Sequence, residues 1–519
     1  MASAGPVPAL AERAAACAER LREAEEVLLA SHIDADGLTS AAIAASALER
    51  AGIPFETAFS KQLDAEEIAA IAAREQETVL FTDFGSGQLD LISHHAAAGE
   101  FTPVVADHHR PADPEDCDPE VVRSVEGYAD TDYHLNPLLE GLDGSSELSG
   151  AGASYVLARA LESTKDEEAT DNPTKDEEAT DNRDLAALAV VGAVGDMQTT
   201  DGELVGANRS IVEEGVAAGV VETATDLTLY GKQTRPLPKL LEYASDVHVP
   251  GVTGDESGVL RFLDGLDVDL KSGESSDGDD PASGDGEWRR WVDLTDDERQ
   301  TVASALVQRA VSRGVSADRI EGLVGTTYTL VEESEGTELR DVSEFSTLLN
   351  ATARYERADV GLAVCLGNRE GALDRARTLL SDHRRNLSEG IQLVEREGVT
   401  REENVQWFHA GDRIRETIVG IVAGMAMGAD GVDRSTPIVA FAEKDADESG
   451  EATEVKVSAR GTPSLTRRGL DLSAVMQEAS RSVGGDGGGH DVAAGATVPA
   501  GTEEEFVARA DELVGEQLD

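Results

Sequence analysis

A chain of 519 residues is too long for one ordinary core, so two to four domains are expected, and a hydrophobic fraction of 40% suffices to fill them. Its 102 acidic and 44 basic residues give a formal net charge of -58, and eight of the basic residues are lysine. Acid spread over the whole length reads as a halophilic surface, where salt screens self-repulsion, so the charge does not exclude a nucleic-acid substrate.

The N-terminal MASAGPVPALAERAAACAERL reads as a charged amphipathic helix rather than a signal peptide. No run of about 18 apolar residues follows, so no membrane is involved and a cytoplasmic location is expected. Cys17, Cys117 and Cys365 stand far apart without CxxC spacing, which argues against a disulfide framework or a structural zinc site. Residues 25–50 then read strand, loop, helix: EEVLLA, SHIDADG, LTSAAIAASALER. GIPFETAF is a second strand, DAEEIAAIAARE a helix, ETVLFTDF a third strand and TPVVADHH a fourth. This alternation predicts an α/β domain with a parallel sheet.

A perfect repeat at 164–182, TKDEEATDN-P-TKDEEATDN, is too polar to bury a core and reads as a disordered insertion. RDLAALAVVGAVGDMQ resumes as an apolar helix ending near Asp196. KSGESSDGDDPASGDGE at 271–287 is a linker, and the interval around it carries little pattern. From Phe345 alternation returns: EFSTLLNATARYER is helical, ADVGLAVCL a strand or buried helix, RIRETIVGIVAGMAM a helix, TPIVAFAEK and ATEVKVSARG strands. The expected organisation is a catalytic domain at 1–235, an insertion at 236–340 and a smaller C-terminal α/β domain at 341–519, with a cleft between two lobes.

Four motifs share one chemistry: SHIDADG with His32, Asp34 and Asp36; VLFTDFG with Asp83; VVADHH with Asp107, His108 and His109; GAVGDMQ with Asp196. The first three follow apolar runs, and in an open parallel sheet the carboxyl ends of strands converge on one crevice. In an extended loop residues 32, 34 and 36 project to the same side. Clustered carboxylates repel one another unless cations neutralise them, and oxygen ligands mixed with imidazole suit Mn2+, with Mg2+ second. Taken singly the motifs are weak, since an aspartate after a strand is often a helix N-cap, a role open to Asp36.

In order, these motifs resemble those of the DHH phosphoesterase superfamily, and the C-terminal GGGH resembles its DHH-associated domain. The likeness is strongest to archaeal RecJ-like single-strand exonucleases. The resemblance implies two divalent ions: one on His32, Asp34 and Asp83, the other on Asp36, Asp83, His108 and Asp196, with Asp83 bridging. It gives Asp83, His108 and His109 the catalytic positions, His109 facing phosphate and Asp107 orienting the histidines. In GGDGGGHD the run Gly487, Gly488 and Gly489 lets backbone approach a phosphate to which His490 donates, and Arg460 is the phosphate clamp. The implied activity is hydrolysis of single-stranded DNA, or RNA, in replication or repair, with a GINS-type replication protein as a further partner. Two alternatives stand beside it: a nanoRNase-like phosphodiesterase of short oligonucleotides or cyclic dinucleotides, and a non-catalytic replication scaffold, which predicts eroded ligands.

Overall fold

The structure, a computed structural model, describes residues 5–112, 133–162, 181–244, 247–272, 287–429, 431–444 and 453–518. Cys117 and all but the last two residues of the tandem repeat lie outside them. The chain divides into two compact units, Met1–Ala376 and Arg377–Asp519.

In the first unit the runs VLLASH, FETAFS, TVLFT and TPVVA form β1 (Val27–His32), β2 (Phe55–Ser60), β3 (Thr78–Thr82) and β4 (Thr102–Ala106), and His134–Leu135 adds β5. They pair in the order β2-β1-β3-β4-β5, all parallel. Alternate side chains fill two cores. Val27, Leu29, Leu80 and Val104 face α1 (Ala11–Arg22), α2 (Ala35–Arg50), and two later helices, α5 (Gly150–Ala160) and α6 (Ala186–Gly195). Leu28, Ala30, Phe81 and Val105 face α3 (Ala65–Ala72) and α4 (Leu89–Ala97). Helices cover both faces, which is why the strands read as continuous apolar runs rather than alternating ones.

After α7 (Gly206–Ala218), β6 (Val221–Leu227) pairs antiparallel with the distant β7 (Val324–Leu330). Between them the interval of weak sequence pattern builds a core of its own, with Leu240, Val259, Leu306 and the buried Trp291. Its helix α8 (Asp296–Ser312) starts on a reciprocal Thr295–Glu298 capping box, and Trp291 Nε1 donates to Asp226 Oδ2 at 2.9 Å.

The two units do not part at 340/341. Helix α9 (Val342–Arg354) packs on α6, and Asn350 Oδ1 accepts from Ala35 N at 3.1 Å, so this segment belongs to the body that carries the four motifs. ADVGLAVCL resolves as helix α10 (Ala358–Cys365). The last copy of the repeat also ends in order: Asn182 is buried, donates to Ala158 O at 2.7 Å and accepts from Arg50 at 3.0 Å.

The second unit is a six-stranded sheet of β8 (Thr400–Arg401), β9 (Gln406–His409), β10 (Ile438–Glu443), β11 (Glu454–Arg460), β12 (Asp486–Gly489) and β13 (Ala493–Pro499). Their order is β8-β9-β10-β11-β13-β12, with β9 and β10 parallel and the other pairs antiparallel. Helix α11 (Val419–Ala426) lies on one face, α12 (Leu472–Ser482) and α13 (Glu503–Leu518) on the other.

Candidate metal centre

The carboxyl ends of β1, β3 and β4 deliver the first three motifs to one place. His32 is the last residue of β1, Asp83 follows β3 and Asp107 follows β4. Asp83 turns its carboxylate inward with φ at 60°, a left-handed conformation that aspartate tolerates better than most residues, while its N–H still bonds Ala106 O at 3.0 Å.

Residues 32, 34 and 36 do not lie in an extended loop. Helix α2 begins at Ala35, so Asp34 is the N-cap, its Oδ1 accepting from Gly37 N at 2.9 Å, and Asp36 sits in the first helical turn. The 3.6-residue period sends Asp34 and Asp36 to different neighbours. Among the described residues three sets of potential ligand atoms gather, each set within 4.8 Å: His32, Asp34 and Asp83; Asp36, His108 and Asp196; and Asp83, Asp107, His108 and His109. Asp83 links the first two. Its Oδ2 is 3.5 Å from His32 Nδ1 and its Oδ1 is 3.3 Å from His108 Nε2.

The interior half of the centre is tightly held. Asp36 is buried at the N-terminus of α5 and accepts from Gly150 N at 2.7 Å and Ala151 N at 3.0 Å. A Cβ on Gly150 would collide with Asp83 Oδ1, and one on Gly192 would collide with Asp36 Oδ1, so both positions require glycine. Gly144 O lies 2.7 Å from His108 Nδ1, which places the ring proton there and turns the Nε2 lone pair to the carboxylates. Asp107 instead orients His109: its Oδ1 takes His109 Nδ1 at 2.8 Å, His108 N at 2.7 Å and His109 N at 3.2 Å, and its Oδ2 takes Ser86 N at 2.9 Å. The outer half is open, with the side chains of His32 and Asp34 28% and 42% exposed.

Electrostatics separates otherwise identical groups. Burial, then the fields of Asp83 and Asp196, push Asp36 well above the usual carboxylate range, and burial also raises Asp196. Burial acts on Asp83 in the same sense, but its histidine partners His108 and His32 hold it down at about 2. Burial opposes charge on His32 and His108, yet Asp34 and Asp83 on one and Asp83 on the other raise both to about 11. His109 is raised chiefly by its hydrogen bond to Asp107. Left to itself, then, the cluster gathers protons. Asp83 Oδ1 and His108 Nε2 are buried, face each other at 3.3 Å and make no hydrogen bond among the described residues. Once His108 gives up its second proton, its Nε2 lone pair faces Asp83 Oδ1, and this pair, backed by Asp36 Oδ2 and Asp196 Oδ2, each 3.8 Å from His108 Nε2, fits a divalent cation, which would replace the proton.

The other expected site residues lie in the second unit. Arg460 ends β11 opposite Ala493, and the β12–β13 hairpin turns at His490, whose N–H bonds Ala493 O at 2.9 Å, so both residues lie at the same end of the sheet. His490 is exposed, and Arg460 lies over Gly420 of α11 with Nη1 donating to Ala459 O at 2.8 Å. The glycine run is an edge strand rather than a loop. A Cβ at Gly487 would sit 2.7 Å from Ala496 Cβ and one at Gly489 2.7 Å from Ala494 Cα, whereas one at Gly488 would meet nothing within 4 Å.

The sequence gives no signal for Gly144, Gly150 or Asn208, which hold the ligands from loops and helix ends outside the motifs, and nothing in GAVGDMQ singles out Gln198.

An open parallel sheet with carboxylates and histidines at its carboxyl edge, followed by a second α/β unit, is the arrangement of a phosphoesterase fold. Family models agree: the DHH family N-terminal domain matches residues 26–192, the DHH-CID domain 229–324 and the DHHA1 domain 404–516. The chain belongs to the DHH superfamily and has a RecJ-like fold. It is 27% identical over 491 residues to an uncharacterised protein of Methanocaldococcus jannaschii, covering 94% of this chain and 93% of that one. Its structure is similar to RecJ from Thermus thermophilus in complex with Mn2+, with TM-score 0.55, 16% identity and 99% of this chain covered. This chain covers 56% of that RecJ. CDC45 from Entamoeba histolytica is similar as well, with TM-score 0.59, 10% identity and coverage of 96% and 97%.

Proposed function

We propose that the chain is a metal-dependent exonuclease that hydrolyses phosphodiester bonds of single-stranded nucleic acid. The observation that carries this reading is the buried pair Asp83 Oδ1 and His108 Nε2, 3.3 Å apart without hydrogen-bond geometry, lying between two ligand groups. His32, Asp34 and Asp83 would hold one divalent ion, and Asp36, Asp83, His108 and Asp196 the other, Mn2+ being preferred and Mg2+ accepted. Such ions acidify water and neutralise charge developing on a phosphate under attack.

The chain's own groups bind and orient. His109 donates Nδ1–H to Asp107, which favours its charged form, and in that form the half-exposed side chain would present Nε2–H as a donor for a phosphate oxygen. In the second unit Arg460, His490 and the backbone at Gly487, Gly488 and Gly489 would grip phosphates along the strand, with Gly488 offering the open approach. The similarity to a RecJ in complex with Mn2+ supports the assignment.

The similarity in fold to CDC45 supports a second reading, a non-catalytic replication scaffold; a protein of GINS type would then be its partner. Retention of His32, Asp34, Asp36, Asp83, His108 and Asp196 in one constellation favours the enzyme. End-labelled single strands of DNA and RNA, incubated in concentrated KCl with Mn2+, Mg2+ or EDTA, decide between them. Stepwise shortening that needs a divalent ion is expected of the exonuclease, and intact strands in every lane of the scaffold.

A further inference from the structure

We propose that Gln198, held by Asn208, is the positioning residue of the inner ion site formed by Asp36, His108 and Asp196; the proposal rests on the metal-dependent reading above. Helix α6 closes in a Schellman turn: Gln198 N donates to Ala193 O at 3.0 Å and Met197 N to Val194 O at 3.1 Å. Asp196 is the C-cap of that turn, and Met197 takes the left-handed position with φ at 57°. The backbone of Gln198 is therefore fixed two residues beyond a ligand, and its side chain, 1% exposed, turns back into the centre.

There Nε2 donates to Asp196 Oδ2 at 2.9 Å and to Gly144 O at 2.9 Å. Two N–H groups meet two obligate acceptors, which fixes the orientation of the amide. Oε1 accepts from Asn208 Nδ2 at 2.8 Å, and Asn208 N donates to Glu147 O at 2.7 Å, tying α7 to the same loop. The 3.2 Å between Gln198 Nε2 and His108 Nδ1 is that of two donors sharing Gly144 O, because a carbonyl 2.7 Å from Nδ1 needs the ring proton.

One short segment thus orients all three ligands. Gly144 O sets the His108 ring, Gly150 N and Ala151 N set Asp36, and Gln198, braced on Gly144 O, sets Asp196. A neutral amide suits this place. It aims the Asp196 carboxylate without neutralising it, whereas a lysine or arginine would compete with the ion for the same oxygens. Gln198 bonds Asp196 and the loop behind it, while His32 and Asp34 belong to the other ligand group, so the effect should fall on one ion of the two.

The test is Mn2+ binding to the full chain, followed by calorimetry and by equilibrium dialysis, in wild type, Gln198→Met and Asn208→Ala. Methionine keeps the volume and loses the hydrogen bonds. Loss of an outer partner of a ligand typically weakens metal affinity about 10- to 100-fold. Two ions are expected in wild type, with one weakened by that factor in Gln198→Met and less in Asn208→Ala, while thermal unfolding without metal shows Gln198→Met folded. In an Asp34→Ala background, which cripples the outer site, Gln198→Met must still weaken the remaining ion, and the double variant Gln198→Met/Asn208→Ala must lose little beyond Gln198→Met alone. Unchanged affinity in Gln198→Met, or equal weakening of both ions, overturns the positioning role and leaves the metal-dependent reading standing. A wild-type chain that binds no Mn2+ overturns that reading and this inference together.

Discussion

Replacing Asp83 with alanine removes the carboxylate that belongs to the His32–Asp34 group and faces His108 of the other at 3.3 Å, and also relieves crowding with Asp36 and Asp196. Hydrolysis by Asp83→Ala should fall to background while the melting temperature stays near wild type; turnover at the wild-type rate would refute the bridging role. A second residue prediction concerns Glu344 on α9, fully buried, accepting from Gln233 N at 2.8 Å and from Thr234 Oγ1 at 2.5 Å. Burial raises its carboxyl from 4.5 to about 7. The native state therefore holds a proton that the unfolded chain releases between these values, so this contribution is full below pH 4.5 and is lost as pH rises to about 7. Glu344→Gln should gain stability relative to wild type as pH climbs through that window, measured by denaturant unfolding at fixed salt. Parallel pH profiles for the two proteins would show that Glu344 is not buried as described. At this scale the sequence was most informative about the motif residues and least about their supports. His32, Asp83 and His108 stand beside apolar runs, while Gly144 acts through a backbone carbonyl that any residue carries.

Strands and helices set how closely those residues approach. The N-terminus of α5 comes so near the centre that a methyl group on Gly150 would strike Asp83 Oδ1. Gly150→Ala should either push α5 away from Asp36 or turn Asp83 aside, at a cost of about 1–3 kcal/mol in stability, with Mn2+ affinity falling in parallel. A variant with wild-type melting and metal affinity would mean that the helix start is looser than described. The runs VLLASH, TVLFT and TPVVA were legible as strands because both faces of the sheet are covered. The start of α2 was not. HIDADG alternates like a strand, but Asp34 caps a helix, and the tertiary bond from Ala35 N to Asn350 Oδ1, made 315 residues away, cannot be seen locally. The same holds for β6 and β7, partners whose strands are separated by an intervening folded segment with Trp291 at its core.

Across the whole molecule the proposed function divides labour: the first unit would carry the metal chemistry and the second would grip the strand. Arg460→Ala and His490→Ala should each weaken single-strand binding roughly tenfold or more, from the loss of ~1.5–3 kcal/mol for a charge-assisted contact, with bound Mn2+ unchanged. Loss of metal in either variant, or unaltered affinity, would contradict that division. The domain order was legible because the motifs lie in sequence order along one sheet; the division near residue 376 was not, since α9 and α10 carry apolar patterns that fit either body. The central claim is a pair of ions joined through Asp83, and electron paramagnetic resonance of the Mn2+-loaded chain tests it most directly. At saturation two Mn2+ per chain are expected, with the spectrum of a spin-coupled pair, reduced to uncoupled or absent Mn2+ in Asp83→Ala. A single ion, or two that are magnetically independent in the wild-type chain, would contradict it.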